Sequence, residues 1–209
     1  MEENMDNLYE ITTEEKPKTQ KNDHRKTVLS YLHDLTYLLT GILLVFLLLF
    51  RVVVVSGSSM KNTLVDGDYI LLLNSVFYTN PQAGDIIVAS KQSFEDGEPI
   101  IKRVIATEGQ TVKIIREENA VEAKVYVDGV LLDEPYIATP TTNEYYCVTV
   151  DEGCVFVMGD NRQWSRDSRS GDIGQIDRRE ILGKALFLFI PGTDKNSSPR
   201  DFERIGGLW

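Results

Sequence analysis

Two residues have types and surroundings that suggest chemistry: Ser59, in Ser56-Gly-Ser-Ser-Met60, and Lys102, in Pro99-Ile-Ile-Lys-Arg-Val-Ile-Ala106. A serine hydroxyl becomes a useful nucleophile only beside a base. Both histidines, His24 and His33, precede the end of a long apolar run, so a site beyond a membrane span has no imidazole to use. An unprotonated lysine can take that role, but its ordinary pKa near 10.4 must first be lowered by desolvation. Strand alternation places Lys102 on one face with Ile100 and Val104, an apolar setting of the required kind. Gly57 permits a tight turn that presents a serine and aims a backbone N–H at an oxyanion. Taken alone, each segment also has a plainer reading. Lys102 reads as a strand lysine with a packed stem and a solvated head, and Ser59 as part of a linker. The polar run Gly159-Asp-Asn-Arg-Gln-Trp-Ser-Arg-Asp-Ser-Arg169 reads equally as a solvated loop.

The elements that must position these residues begin with an anchor. Residues 1–27 are polar and end in the basic cluster Lys16, Lys18, Lys21, Arg25 and Lys26, which reads as a disordered cytoplasmic tail. Leu35–Phe50 carries no charge but, as a helix, spans only about 24 Å, short of a hydrocarbon core of about 30 Å. Extending it through Val55 gives about 31 Å, with Arg51 able to snorkel toward the headgroups. The expectation is therefore a span within residues 28–55. The preceding basic cluster puts the N-terminus in the cytoplasm and the rest outside. A buried soluble helix and a cleaved signal peptide, with Ser56 and Ser58 at cleavage-like spacing, compete with this reading. A retained anchor is favoured because the run is long for a signal peptide and is followed directly by the candidate site. Val52–Val55 also reads as a strand resting at the membrane surface, so the boundary between helix and strand stays open.

Beyond the anchor, Val-, Ile- and Tyr-rich runs alternate with turn residues such as Asp66-Gly67, Asp128-Gly129 and Glu152-Gly153. They predict strands at 69–73, 86–90, 99–106, 111–116, 124–127, 145–150, 154–158 and 185–190. A short helical stretch is expected near 177–181. The fold class is thus all-β and antiparallel. A net charge of -10 argues against a generic nucleic-acid binder, and 42% hydrophobic residues argue against disorder throughout. Without a Cys-x-x-Cys pair or an outer histidine, a metal site in the main body is not expected. Cys147 and Cys154 flank a turn, and their state, disulfide or free thiols, stays open.

Together the segments resemble signal peptidase I. The resemblance rests on Ser56-Gly-Ser-Ser-Met-Lys-Asn-Thr-Leu64, Asp66-Gly-Asp68, Gly84-Asp85, Lys102-Arg-Val-Ile-Ala106 and Gly159-Asp-Asn-Arg with Ser165 and Asp167-Ser-Arg169, in the family's order. One amino-terminal anchor and a short insertion look more like its Gram-positive form. The resemblance implies an antiparallel β-barrel-like catalytic core at 56–116 and 154–191. The more acidic segment 117–153 reads as a small inserted β subdomain and 192–209 as a C-terminal tail, with one transmembrane helix preceding the core. The resemblance also implies Ser59 as nucleophile and Lys102 as general base, with Ser165 orienting the lysine, Asp160 pairing with Arg103, and Asp167 pairing with Arg169. Ser59, with Ser58, would supply the oxyanion hole. Val55, Met60, Leu64 and Ile101 would line shallow pockets that select small residues in an Ala-x-Ala pattern.

The resemblance further implies no cofactor, and partners limited to signal peptides of secreted preproteins and membrane lipid, with no nucleic acid. The chain would act as a single-pass monomer in the cell membrane, its catalytic domain extracytoplasmic. Two positions depart from the family pattern. Asn62 stands where proline is usual, so the turn after the nucleophile is expected to be less rigid. Gly57 cannot supply a hydroxyl to the oxyanion hole. A non-catalytic peptide-binding β-domain and a self-cleaving regulator are the rival readings. Intact Ser59 and Lys102 oppose the first; the anchor and the lack of a DNA-binding helix pair oppose the second.

Overall fold

The computed structural model describes residues 21–92, 94, 97–143, 145–193 and 199–208. The expected tail before residue 21 lies outside them, as does part of the expected C-terminal tail. A helix, α1 (Lys21–Leu49), comes first. Its portion up to Val45 forms one unit and Phe46 onward forms another. Arg25–Leu49 has a mean hydropathy of 2.0 over its most apolar window and is long enough to cross a membrane. At about 1.5 Å per residue its 25 residues cover roughly 37 Å. Side chains such as Leu38, Leu44 and Leu47 are exposed along it.

The helix does not continue to Val55. Phe50–Val54 forms strand β1, antiparallel to β2 (Tyr69–Asn74), in a register running from Phe50 opposite Leu73 to Val54 opposite Tyr69. Three consecutive valines are stiff at χ1 and suit a pleated surface once a partner strand is available. The missing length of the span is supplied upstream, from Arg25, rather than through Arg51 and the valines.

The remaining strands are β3 (Ile86–Ser90), β4 (Pro99–Thr107), β5 (Thr111–Arg116), β6 (Ala123–Val127), β7 (Val130–Leu131), β8 (Tyr145–Thr149), β9 (Cys154–Met158), β10 (Ile176–Asp177), β11 (Ile181–Ile190) and β12 (Gly206–Gly207). One sheet runs β1-β2-β11-β3-β4-β9-β10 with β12 on β11, and the second runs β7-β6-β5-β8. All strand pairs are antiparallel, as expected, but the first sheet is an open path with β1 and β10 at its ends rather than a closed barrel. The two sheets share a core. Ile105, Ala106, Phe156 and Met158 of the first pack against Val112, Ile114 and Val125 of the second. Two further clusters, around Leu64, Ile70 and Leu72 and around Val104, Val155 and Val157, fill the main sheet.

Several sequence boundaries move. β5 pairs with β6 and β8, so the inserted sheet starts at Thr111 rather than at 117. β8 and β9 belong to different sheets, so no hairpin brings Cys147 and Cys154 together, and both are free thiols. The expected helical stretch near 177–181 is a single 3-10 turn, Arg178–Glu180, closed by an Asp177/Glu180 capping box. β11 starts immediately after it, four residues earlier than expected. Nor is the C-terminus a loose tail: β12 pairs with Phe187 and Leu188, Leu208 is buried in the core, and Arg204 bonds Asp68 at 2.6 Å.

Candidate active site

The nucleophile turn is held from both ends before any chemistry is considered. Val55 continues β1 by donating its N–H to Asp68 O (2.8 Å) and accepting from Gly67 N (2.9 Å). Asp68 is fully buried. Its carboxylate takes N–H groups from Val65 and Gly192 and the guanidinium of Arg204. Asp66 caps the turn by accepting from Gly57 N at 3.0 Å, and Gly57 itself sits at φ 89, where a side chain would strain the backbone. The Asp66-Gly-Asp68 segment is therefore the clamp on the serine loop. On the far side Asn161 donates its backbone N–H to Ser59 O (2.9 Å) and its amide to Ser58 O (3.0 Å).

Against this turn β4 delivers Lys102. Its Nζ lies 2.8 Å from Ser59 Oγ and also donates to Ile101 O at 2.9 Å. Lys102 is 5% exposed. Burial pushes its pKa down to about 8, against the opposing pull of Asp167 and then Asp160. Such an amine can be unprotonated at mildly alkaline pH and can then accept the Ser59 proton across the observed distance. Among the described residues the Ser59 N–H has no partner, leaving a backbone donor beside its own hydroxyl.

The supporting pairs expected from sequence are both formed. Arg103 grips Asp160 with two bonds, Nε at 2.9 Å and Nη2 at 2.7 Å, while its Nη1 reaches Gly84 O. Arg169 grips Asp167 at 2.8 Å through both Nε and Nη2, and Asp167 also accepts Gly159 N. Ser165 departs from expectation. Among the described residues its buried Oγ has no hydrogen-bond partner, and it packs against Gly159, so the Lys102 amine is oriented by Ile101 O and Ser59 instead.

Gly159 is where three segments meet. A Cβ there would lie 2.3 Å from Ser165 Oγ and 2.5 Å from Ser59 O. Gly159→Ala is therefore expected to push the nucleophile turn off its position. Turnover should fall tenfold or more and stability by about 1–3 kcal/mol, read as kcat and thermal midpoint on the same preparation.

Beside Ser59 and Lys102 opens a cleft of about 530 Å³. Val55, Met60 and Ile101 line it, as expected. Leu64 does not: it is fully buried and belongs to the core beneath the turn. The wall also takes in Val53, Val88, Phe94 and Ile100, which motif reasoning passed over, and the polar residues Ser56 and Glu98. Alternation along Val53 and Val55, and along β4, was the signal that could have found Val53. Asn62 also differs from expectation. It adopts φ 90, which a proline ring cannot, and its amide donates to Tyr136 O and Ile137 O. The turn is thus tied to the inserted sheet's loop rather than left loose. Sequence reasoning also missed Arg162, which is buried and joins Glu134, Thr141 and Gly159 O behind the site.

The serine turn, the desolvated lysine and the cleft lie within a stretch that resembles known proteins over most of the chain. The family described as "Signal peptidase, peptidase S26" matches residues 28–190. The chain belongs to this signal peptidase family. A probable signal peptidase I-1 of Synechocystis sp. is 38% identical over 170 residues, 77% of this chain and 83% of that protein. The signal peptidase I of Bacillus licheniformis is 32% identical over 190 residues, 86% and 95% of the two chains. Signal peptidase I T of Bacillus subtilis is 31% identical over 195 residues, 87% and 96%. A crystal structure of a signal peptidase I from Enterococcus faecalis is 32% identical, covering 51% of this chain and 97% of its own, at a TM-score of 0.40. Within the signal peptidase family this chain is a membrane-anchored enzyme, its apolar helix directly preceding the β strand that leads into Ser59.

Proposed function

We propose that this signal peptidase cuts N-terminal signal peptides from exported preproteins after small residues, with Ser59 as nucleophile and Lys102 as general base. The observation that carries the reading is the 2.8 Å approach of a buried lysine amine to a serine hydroxyl that lines a cleft. Neutral Lys102 accepts the Ser59 proton as Oγ attacks the scissile carbonyl. The Ser59 N–H takes the developing oxyanion, with a Ser58 or Ser56 hydroxyl as second donor. Collapse expels the amine of the mature protein, which takes the proton back from the Lys102 ammonium. Lys102 then activates water to hydrolyse the Ser59 ester and release the signal peptide.

Specificity follows from exclusion. An extended peptide laid against the open edge of β1 would point alternate side chains into the cleft. In this reading Val53, Val55, Met60, Ile100 and Ile101 are the residues that would turn away bulky side chains and admit alanine. The basic cluster ahead of the apolar run favours a cytoplasmic N-terminus, an extracytoplasmic site and a substrate held by its own apolar segment in the same bilayer. The enzyme works as a monomer in this reading, since one chain supplies every group named.

The pH profile tests the base. kcat/KM for a preprotein substrate in detergent is expected to rise with pH through an apparent pKa near 8 and then level off, because the active form carries neutral Lys102. A flat profile from pH 6 to pH 10, choices of assay range on the order of the lysine shift, would exclude a lysine base.

A further inference from the structure

The proposed mechanism uses the cleft on one side of the serine turn; a second cavity, of about 440 Å³, lies on the other. The two share no lining residue: Ser59 lines the first and Ser58 the second. The second cavity is framed by Lys61, Thr139, Asn161 and Trp164. Its floor is bonded to the nucleophile turn itself, since Asn161 donates to both Ser58 O and Ser59 O. Thr139 Oγ1 in turn donates to Asn161 Oδ1 and receives Gln163 N, so the floor is fixed by short-range bonds.

Trp164 is the feature that folding does not explain. It is 74% exposed and belongs to none of the three core clusters. Yet it stands on a rigid base. Its 3-10 turn is anchored by Arg162, fully buried among Glu134, Thr141 and Gly159 O, and its own N–H bonds Asn161 O at 3.0 Å. A large apolar ring held out to solvent at a fixed place beside a nucleophile is the arrangement of a recognition surface.

Building on the Ser59–Lys102 reading, we propose that this second cavity receives the first substrate residues after the scissile bond, with the Trp164 indole as the surface on which a side chain of that segment rests. An extended peptide advances about 3.3 Å per residue, so a chain that fills the first cleft and crosses Ser59 enters this cavity within one or two residues. The occupant is thus the start of the mature protein. Trp164 becomes a specificity-determining residue for the leaving segment, and the enzyme reads both sides of the cut.

The test compares two substrates with the same residues before the cut. One is a peptide continuing for several residues beyond it; the other is a methyl ester with nothing beyond it. With the full chain in detergent, Trp164→Ala is expected to lower kcat/KM for the extended peptide about tenfold, mainly through KM, and to leave the ester unchanged. Trp164→Phe should restore most of the loss. An equal loss on both substrates, or no loss on the extended peptide, would overturn the assignment. The ester also separates this idea from the one beneath it. If Ser59→Ala still hydrolysed the ester, the dyad and the second cavity's role would both fall. If Ser59→Ala is inactive and Trp164→Ala treats both substrates alike, only the second is wrong.

Discussion

Replacing Lys102 with methionine is expected to abolish cleavage while making the folded enzyme more stable at neutral pH. The two effects come from one cause. Burial lowers the Lys102 pKa from 10.5 to about 8, so holding the charged amine in place below pH 8 costs roughly 3 kcal/mol. Among the described residues no carboxylate bonds Nζ directly; its hydrogen bonds are to Ser59 Oγ and Ile101 O. Methionine has similar reach and no charge, and it adapts to irregular spaces. Losing two bonds of about 1 kcal/mol each offsets part of the gain, leaving a small net stabilisation.

The pH dependence fixes the sign. Below pH 8 both folded and unfolded states carry the proton, and wild type bears the full penalty. Between about 8 and 10.5 the unfolded state binds more protons, so wild-type stability rises with pH. Above that range the penalty is gone, and so is the variant's advantage. Thermal unfolding at pH 7 and pH 10 should therefore show the methionine variant ahead only at the lower pH. Cleavage should fall about a thousandfold or more, as should that of Ser59→Ala, because each removes one half of a unit. Near-normal turnover in either variant would refute the pairing. A strongly destabilised methionine variant would instead make Lys102 a structural residue.

That pairing was legible in the sequence only when the motifs were read together, since each local segment also had a plainer reading. Ser59 and Lys102 each sit in a short run whose neighbours set the conformation, and the absence of an outer histidine narrowed the choice of base. Strands such as Ile86–Ser90 and Thr111–Arg116 were legible because β-branched runs bounded by turns admit few alternatives. What was hidden is non-local. Phe50–Val54 suits a membrane helix or a strand equally, and only its pairing with Tyr69–Leu73 decides. Thr111–Arg116 looks the same whichever sheet it joins. Arg204 reaches Asp68 across 136 positions, a contact that no periodicity announces. Leu64 and Val53 were exchanged as cleft residues because the turn between them reverses the chain, and sequence spacing does not tell which side of a turn faces the cleft.

The most damaging change away from the reacting atoms is expected to be Asp160→Asn. Asp160 is fully buried, bonded twice by Arg103 and once by Thr63 Oγ1, and its backbone O accepts from Ala138 N. The carboxylate thus links β4 to the serine turn, while the backbone of the same residue holds the inserted sheet's loop. The amide keeps the shape and one acceptor but removes the negative charge, so the Arg103 guanidinium, 3% exposed, is left with neutral partners such as Gly84 O, Thr63 and the Tyr136 ring at 4.1 Å. Breaking a buried pair from one side costs about 3–5 kcal/mol, a large share of a total of roughly 5–15 kcal/mol. Thermal unfolding should move down by many degrees. Replacing both partners with leucine should recover much of the loss, because no buried charge is then left alone. The enzyme that stays folded carries a second signature. Asp160 helps hold the Lys102 pKa up, so its removal lets desolvation act with less opposition, and the unpaired Arg103 pushes the same way. The acid limb of the pH profile should therefore shift to lower pH while the maximal rate falls. An unchanged limb in Asp160→Asn would mean that Asp160 acts on the fold alone and not on the base.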